Sequence, residues 1–164
     1  MDTDMLQSIY AHASWANEKL FDTAAELTQA QLTHTAGDAV SILDLLVHLV
    51  DVQRTWLARA QHKMVPPLDS ATCSTLAALR DAWKSVDDAS RMYVAELRAD
   101  DLAEIVHYSN SKREPQAYPR WQILLHQALH AAQHRSEAAL LLTGLGHSTG
   151  WLDYLIFIDE TRGV

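Results

Sequence analysis

The chain has 164 residues, a length typical of one domain, and a formal net charge of −8. Its hydrophobic fraction of 48% is near the globular average, and the single cysteine excludes an internal disulfide. The acidic balance argues against direct nucleic-acid binding. No apolar run approaches the ~20 residues of a membrane span. We therefore expect one domain over residues 1–164, a cytoplasmic location, and neither a nucleic-acid nor a membrane partner.

The first predicted element is a long amphipathic helix over about residues 3–27, where apolar side chains recur at steps of three and four. The polar stretch 28–40 is predicted to be a connection. A second helix is expected from Ser41 to about His62. Asp44 follows Ser41 by three residues, which is a weaker version of the capping box that starts helices.

A third helix is predicted over about residues 74–97, again from its apolar spacing. The stretch 99–118 has the least regular pattern of the chain. Within it, Ile105, Val106 and Tyr108 favour a short extended piece.

Pro119 suits the first turn of a fourth long helix, where the missing amide donor is not needed. This helix is expected to end at Gly144 or Gly146, and a last short helix is expected over about residues 151–159. Four long amphipathic helices joined by loops predict an all-α fold, an up-and-down four-helix bundle with a short C-terminal helix.

Histidines form a column on the fourth predicted helix, because His126, His130 and His134 follow each other at intervals of four residues. Residues at that interval share one helix face, so neighbouring imidazoles can converge on one metal ion. The outer two lie ~12 Å apart along the axis, too far to share an ion. The spacing thus supports a His-x-x-x-His pair, but it leaves open which of the two pairs binds, and buried histidines satisfied by hydrogen bonds are the alternative.

A third ligand has to come from another helix. His48 is the best candidate, since it lies in the apolar run Leu45–Val50 of the second helix, although a lone histidine there is commonly a satisfied core residue. His12 on the first helix is a weaker candidate. The remaining histidines are expected at the surface: His34, His62, His107 and His147.

Several segments, taken together with their order and spacing, resemble the DinB family of bacterial proteins, part of the DinB/YfiT-like superfamily. The resemblance covers essentially the whole chain. The segments are Trp15-Ala16-Asn17, Ser41-Ile42, the residues around His48, Trp56-Leu57, His126–Arg135 and Gly146–Tyr154.

The resemblance implies a four-helix bundle of the DinB/YfiT-like type and one divalent metal held by His48, His130 and His134. His126 matches a histidine that is common in the family but is not normally a ligand. After the last ligand the family usually has Arg-Gly-Gln, whereas this chain has Arg135-Ser136-Glu137. Members are often homodimers, so a homodimer is expected. Ser136 replaces the family's glycine, which would allow closer helix contact at this position.

Three neutral imidazoles leave the charge of a divalent ion at +2, which favours an anion in the open position, and three protein ligands are the pattern of catalytic zinc. Related superfamily enzymes include bacillithiol transferases and a mycothiol-dependent maleylpyruvate isomerase. The resemblance therefore implies activation of a low-molecular-weight thiol, as in a thiol S-transferase, or of a water. Imidazole ligands suit zinc, nickel and iron alike.

No side chain is an obvious general base. Glu137, three residues past His134, and Asp44, four before His48, are candidates for orienting a ligand imidazole; otherwise they are ordinary acids of a helix face. His126 is a third candidate for such an outer position.

Other functions stay open. The protein could bind metal without catalysis, as a stress- or damage-related module. A di-iron carboxylate bundle needs two Glu-x-x-His motifs, and the chain offers one, Glu104 to His107, in its least helical region. A haem bundle would use axial histidines, but it gives no reason for their four-residue spacing.

Overall fold

Helices make up most of this computed structural model, which describes residues 2–35, 40–69 and 73–162. Within these ranges there are seven helices and one antiparallel β-hairpin between the fifth and sixth of them. The elements are α1 (Thr3–Ala24), α2 (Gln29–Leu32), α3 (Ile42–Ala60), α4 (Leu76–Glu96), α5 (Ala99–Ala103), β1 (Ile105–Ser109), β2 (Pro115–Pro119), α6 (Arg120–Gly144) and α7 (Tyr154–Thr161).

The prediction of a mostly helical chain is confirmed, and the four predicted long helices correspond to α1, α3, α4 and α6. The start of α3 is fixed by the expected capping box: the Asp44 amide donates to Ser41 Oγ at 3.1 Å, and the Ser41 amide donates to Asp44 Oδ2 at 3.3 Å. The predicted connection 28–40 contains the short helix α2, and its residues 36–39 lie outside the described part.

The strictly all-α prediction is wrong at the hairpin. Ile105 pairs with Pro119 and Ser109 with Pro115, so the extended piece predicted near residue 105 has a partner strand. Asn110 shapes the turn, because its side-chain oxygen accepts from the amides of Lys112 and Glu114, both at 2.9 Å. The partner strand was missed since its short sequence begins and ends with proline, a residue that is uncommon inside strands, and carries no alternating apolar pattern.

The long helices do not follow the neighbour order of a simple up-and-down bundle. There, each helix contacts the next along the chain. Here α1 packs mainly against α4 and α6, and α3 packs mainly against the same two. The connections over 25–41 and 97–119 are long enough to join helices across the group. The contact between α3 and α6 is the most extensive of these and carries the candidate site.

The interior has two apolar clusters. One surrounds Leu46 and Phe21, and the other surrounds Leu6 and Ile123 near the hairpin. Buried Arg120 anchors the start of α6, since its Nε donates to the Ala60 carbonyl at 3.0 Å. In the described ranges, no helix is long and apolar enough to cross a bilayer.

Candidate metal centre

Three histidines from two helices meet where α3 packs on α6. His48 comes from α3, and His130 and His134 from successive turns of α6. One ring nitrogen of each lies within 4.8 Å of the others. The Nε2 atoms of His48 and His130 are 3.3 Å apart, and the His134 ring is 4.6 and 4.5 Å from the rings of His48 and His130, centroid to centroid.

This spacing fits a divalent ion. Two nitrogens bound at ~2.1 Å to a tetrahedral ion lie ~3.4 Å apart, close to the 3.3 Å between His48 and His130. The third nitrogen, on His134, lies within 4.8 Å of both. The three histidines therefore form a group that could hold a metal.

His126 has a different position. Its ring stacks on His130, with centroids 5.7 Å apart, and meets the edge of Trp56 at 4.8 Å. It is not in the group of converging nitrogens. The spacing left open whether His126 pairs with His130 or His130 with His134. The pair formed by His130 and His134 is the one that faces His48.

The two predicted orienting acids differ. Glu137 Oε2 accepts from His134 Nδ1 at 2.7 Å, which leaves the Nε2 of that ring available as a ligand. The structure corrects the prediction for Asp44: its carboxylate accepts from the Ser41 hydroxyl at 2.6 Å and caps α3 instead. The capping box turns this side chain back to the helix start, and no hydrogen bond to His48 occurs within the described ranges.

The surroundings favour uncharged ligand rings. Burial lowers the pKa of His48, and the nearby His134 lowers it further. Burial also lowers the pKa of His130, with His134 and His48 acting in the same direction. Hydrogen bonds from Gln133 and then His134 lower the pKa of Glu137, so this acid remains a charged acceptor. Neutral imidazole is the form that binds metal.

The opposite side of α6 is tied to α1. Arg135 is only 4% exposed, and its Nη1 donates to Asn17 Oδ1 at 3.4 Å. Burial lowers the pKa of Arg135 to about 10, which keeps the guanidinium charged at neutral pH. Two of the segments that carry the family resemblance thus meet inside the molecule, on the helix that carries His130 and His134.

The remaining histidines lie away from this group. His12, the weaker candidate, donates to the Leu152 carbonyl at 2.8 Å, and His147 bonds Glu26 at 2.7 Å. His62 bonds Glu104 at 2.9 Å, and Glu104 also pairs with Arg120. Because Glu104 is engaged in this way and its motif partner lies on β1, the di-iron arrangement has no support here.

A cleft beside the centre was not anticipated from the sequence. Two adjoining cavities of about 320 and 490 Å³ share the Tyr108 side chain. The smaller is lined by Trp56, Tyr118 and His126, and the larger by Arg59 and other residues. One signal was present: Trp56 and Arg59 follow His48 by eight and eleven residues on the same helix.

Comparisons with known proteins agree with this architecture. The DinB family profile matches residues 1–163. A search of curated proteins finds no match. Among solved structures, the crystal structure of a DinB family member from Shewanella denitrificans is similar, with a TM-score of 0.63 and 20% identity over 94% of this chain and 89% of that one. The chain belongs to the DinB family.

Proposed function

We propose that this protein is a metal-dependent enzyme that activates a low-molecular-weight thiol, or a water, at His48, His130 and His134. The observation that carries the proposal is the convergence of three imidazoles from α3 and α6 with no carboxylate ligand among the described residues. When bound, a divalent ion would supply a Lewis acid that lowers the pKa of a thiol or water.

The side chains of the chain would prepare this site in three ways. Glu137 would hold His134 in one tautomer and orientation through their hydrogen bond. The lowered pKa values of His48 and His130 would keep both rings uncharged at neutral pH. Exposure of His48 would give an anionic substrate access from solvent. Three neutral ligands preserve the positive charge that attracts a thiolate.

The test is a conjugation assay with zinc- or nickel-loaded protein, a panel of bacterial low-molecular-weight thiols and 1-chloro-2,4-dinitrobenzene. In this reaction a sulfur–carbon bond forms, the carbon–chlorine bond breaks, and chloride and the thiol proton are released. We expect metal-dependent turnover that His130→Ala abolishes and His34→Ala retains. Stoichiometric metal binding without turnover of any thiol in the panel would instead favour a non-catalytic, stress-related metal-binding protein.

We further propose that residues 1–164 form one domain with the four-helix bundle of the DinB/YfiT-like type. Its support is the mutual packing of α1, α3, α4 and α6. The ion would be zinc, nickel or iron, since imidazole suits all three.

We also propose a cytoplasmic homodimer. Leu129 and Leu140 on α6 are 63% and 73% exposed, which is apolar surface that a second copy would cover. Light scattering after size exclusion would show a mass near twice 18.4 kDa. A monomer mass at all concentrations would refute the dimer.

A further inference from the structure

Arg59 is a half-buried cation that pairs with no acid among the described residues. Its guanidinium carbon lies 4.5 Å from the centre of the Trp56 ring and 4.7 Å from that of Tyr108. Every other arginine that is partly buried on α3 or α4 pairs with a carboxylate, as Arg54 does with Asp51. No acid lies within ion-pair distance of Arg59 in the part of the chain that the structure describes. Stacking holds the guanidinium in place and leaves its donors free to bind an anion.

The cavity in front of Arg59 has the charge to accept that anion. We call this cavity of about 490 Å³ the cationic pocket; it is lined by Arg59, His62, Lys63, Met64, Val65, His107, Tyr108 and neighbouring residues. None of its lining residues is acidic. A planar guanidinium forms two parallel hydrogen bonds with a carboxylate.

The adjoining cavity leads back towards the metal centre. We call it the aromatic pocket; its volume is about 320 Å³, and it is lined by Trp56, Tyr108, Tyr118, Gln122, Ile123 and His126. Tyr108 lines both this pocket and the cationic pocket. At its other side His126 stacks on His130, one of the three converging histidines. The aromatic side chains of this pocket suit an apolar or planar group, and none of its lining residues is acidic.

Helix geometry places these features along one line. Arg59 follows His48 by eleven residues, so the two lie ~20° apart around α3 and ~16 Å apart along it. Helical side chains lean towards the N-terminus, which brings the guanidinium closer to the centre. One extended small molecule can therefore reach both.

We propose that the cleft formed by the two pockets binds an elongated organic carboxylate, with its carboxylate on Arg59, its body in the aromatic pocket and its reactive end at the three histidines. This proposal rests on the proposed function for the identity of the reactive end. Binding of the carboxylate at Arg59 requires no metal.

The experiment is calorimetric titration of 4-phenylbutanoate and its neutral amide, 4-phenylbutanamide, into zinc-loaded and chelator-treated protein. We expect the carboxylate to bind about 10- to 100-fold more tightly than the amide, the usual range for a hydrogen bond to a charged group. Arg59→Gln should lose this difference. Lys84→Gln removes the same charge from α4, outside both pockets, and should retain it. Equal affinities for acid and amide in the wild-type protein would overturn the proposal, even if the Arg59 variant did not fold.

Two further measurements distinguish a failure of the proposed metal site from a failure of carboxylate binding at Arg59. The preference for the acid should persist in His130→Ala, so loss of the metal site alone leaves this test intact. Glutathione, a thiol with carboxylates, should bind the zinc-loaded protein more tightly than the chelator-treated one, and Arg59→Gln should weaken both. If zinc did not change glutathione affinity in protein shown to hold zinc, the link between Arg59 and the metal centre would be wrong. If inorganic phosphate bound as tightly as 4-phenylbutanoate, the proposal that the cleft selects an elongated carboxylate would be wrong.

Discussion

Two polar clusters lie between the long helices, and they are built in opposite ways. In the first, buried Asp87 of α4 accepts from Ser14 Oγ at 2.7 Å, Arg91 Nε at 3.1 Å and Gln53 Nε2 at 3.3 Å. In the second, three histidine rings face one another, and only His134 is bonded to an acid. The first cluster satisfies its own polar groups, whereas the second leaves ring nitrogens pointing at a common centre.

The contrast separates a polar cluster that is satisfied within the protein from one that could hold a metal ion. Burial without partners is costly, so a polar group inside a helical interior is normally bonded within the protein, as Asp87 is. The histidine group lies at a more open position, with His48 exposed; apart from the bond of His134 to Glu137, its ring nitrogens face one another, with 3.3 Å between the Nε2 atoms of His48 and His130. A bound ion would supply what the protein does not. Removing a side chain should therefore reduce stability in the first cluster and metal affinity in the second.

The largest effect on folding is expected from the first cluster, around Asp87. Asp87→Ala would leave the half-buried Ser14 hydroxyl without its acceptor and Gln53 Nε2 with Ser90 Oγ as its remaining acceptor, which lowers the free energy of unfolding by about 2–3 kcal/mol. Asp88→Ala is the matched control, because its carboxylate is 65% exposed and bonds the same Arg91. Its effect should stay within about 0.5 kcal/mol. Urea unfolding of both variants measures the change in the free energy of unfolding. Equal losses in the two variants would contradict the description of Asp87 as the centre of a buried cluster that satisfies its own polar groups.

A smaller effect, on metal affinity, is expected from Glu137, the acid that bonds to the histidine cluster. Glu137→Ala removes the acceptor that orients His134, so zinc should bind about 10- to 100-fold more weakly with little change in stability. Gln133→Ala removes only the side chain that donates to Glu137 at 3.1 Å and should change affinity far less. Competition with a chromogenic zinc chelator gives both constants. Unchanged affinity in Glu137→Ala would make this acid an ordinary member of the helix face.

The sequence was most informative where a signal is local. Ser41 and Asp44 mark the start of α3, and the four-residue spacing of His130 and His134 indicates a shared face. The neighbour order of the helices, the pairing of β1 with β2 and the approach of Tyr108 to Arg59 depend on contacts between distant segments. Periodicity cannot report such contacts. His48 was selected as the third ligand by family resemblance, and the structure brings it to the pair on α6.

The smallest effect should come from pH acting on His12, which belongs to neither cluster. Burial lowers its pKa below the ordinary value. As pH falls below about 6.5, the unfolded chain therefore takes up a proton before the folded protein does, and stability decreases. His12→Asn should flatten part of the decline in thermal midpoint between pH 7.5 and 5.5 in chelator-treated protein. The exposed His34→Asn is the control, and identical profiles for wild type and His12→Asn would contradict this assignment.

The three-histidine centre is tested by the metal content of the purified protein and its histidine variants, measured by elemental analysis after dialysis against zinc. We expect about one divalent ion per chain in the wild type, retention in His126→Ala and His34→Ala, and loss in His48→Ala and in His130→Ala. Full metal content in both His48→Ala and His130→Ala would contradict the three-histidine centre.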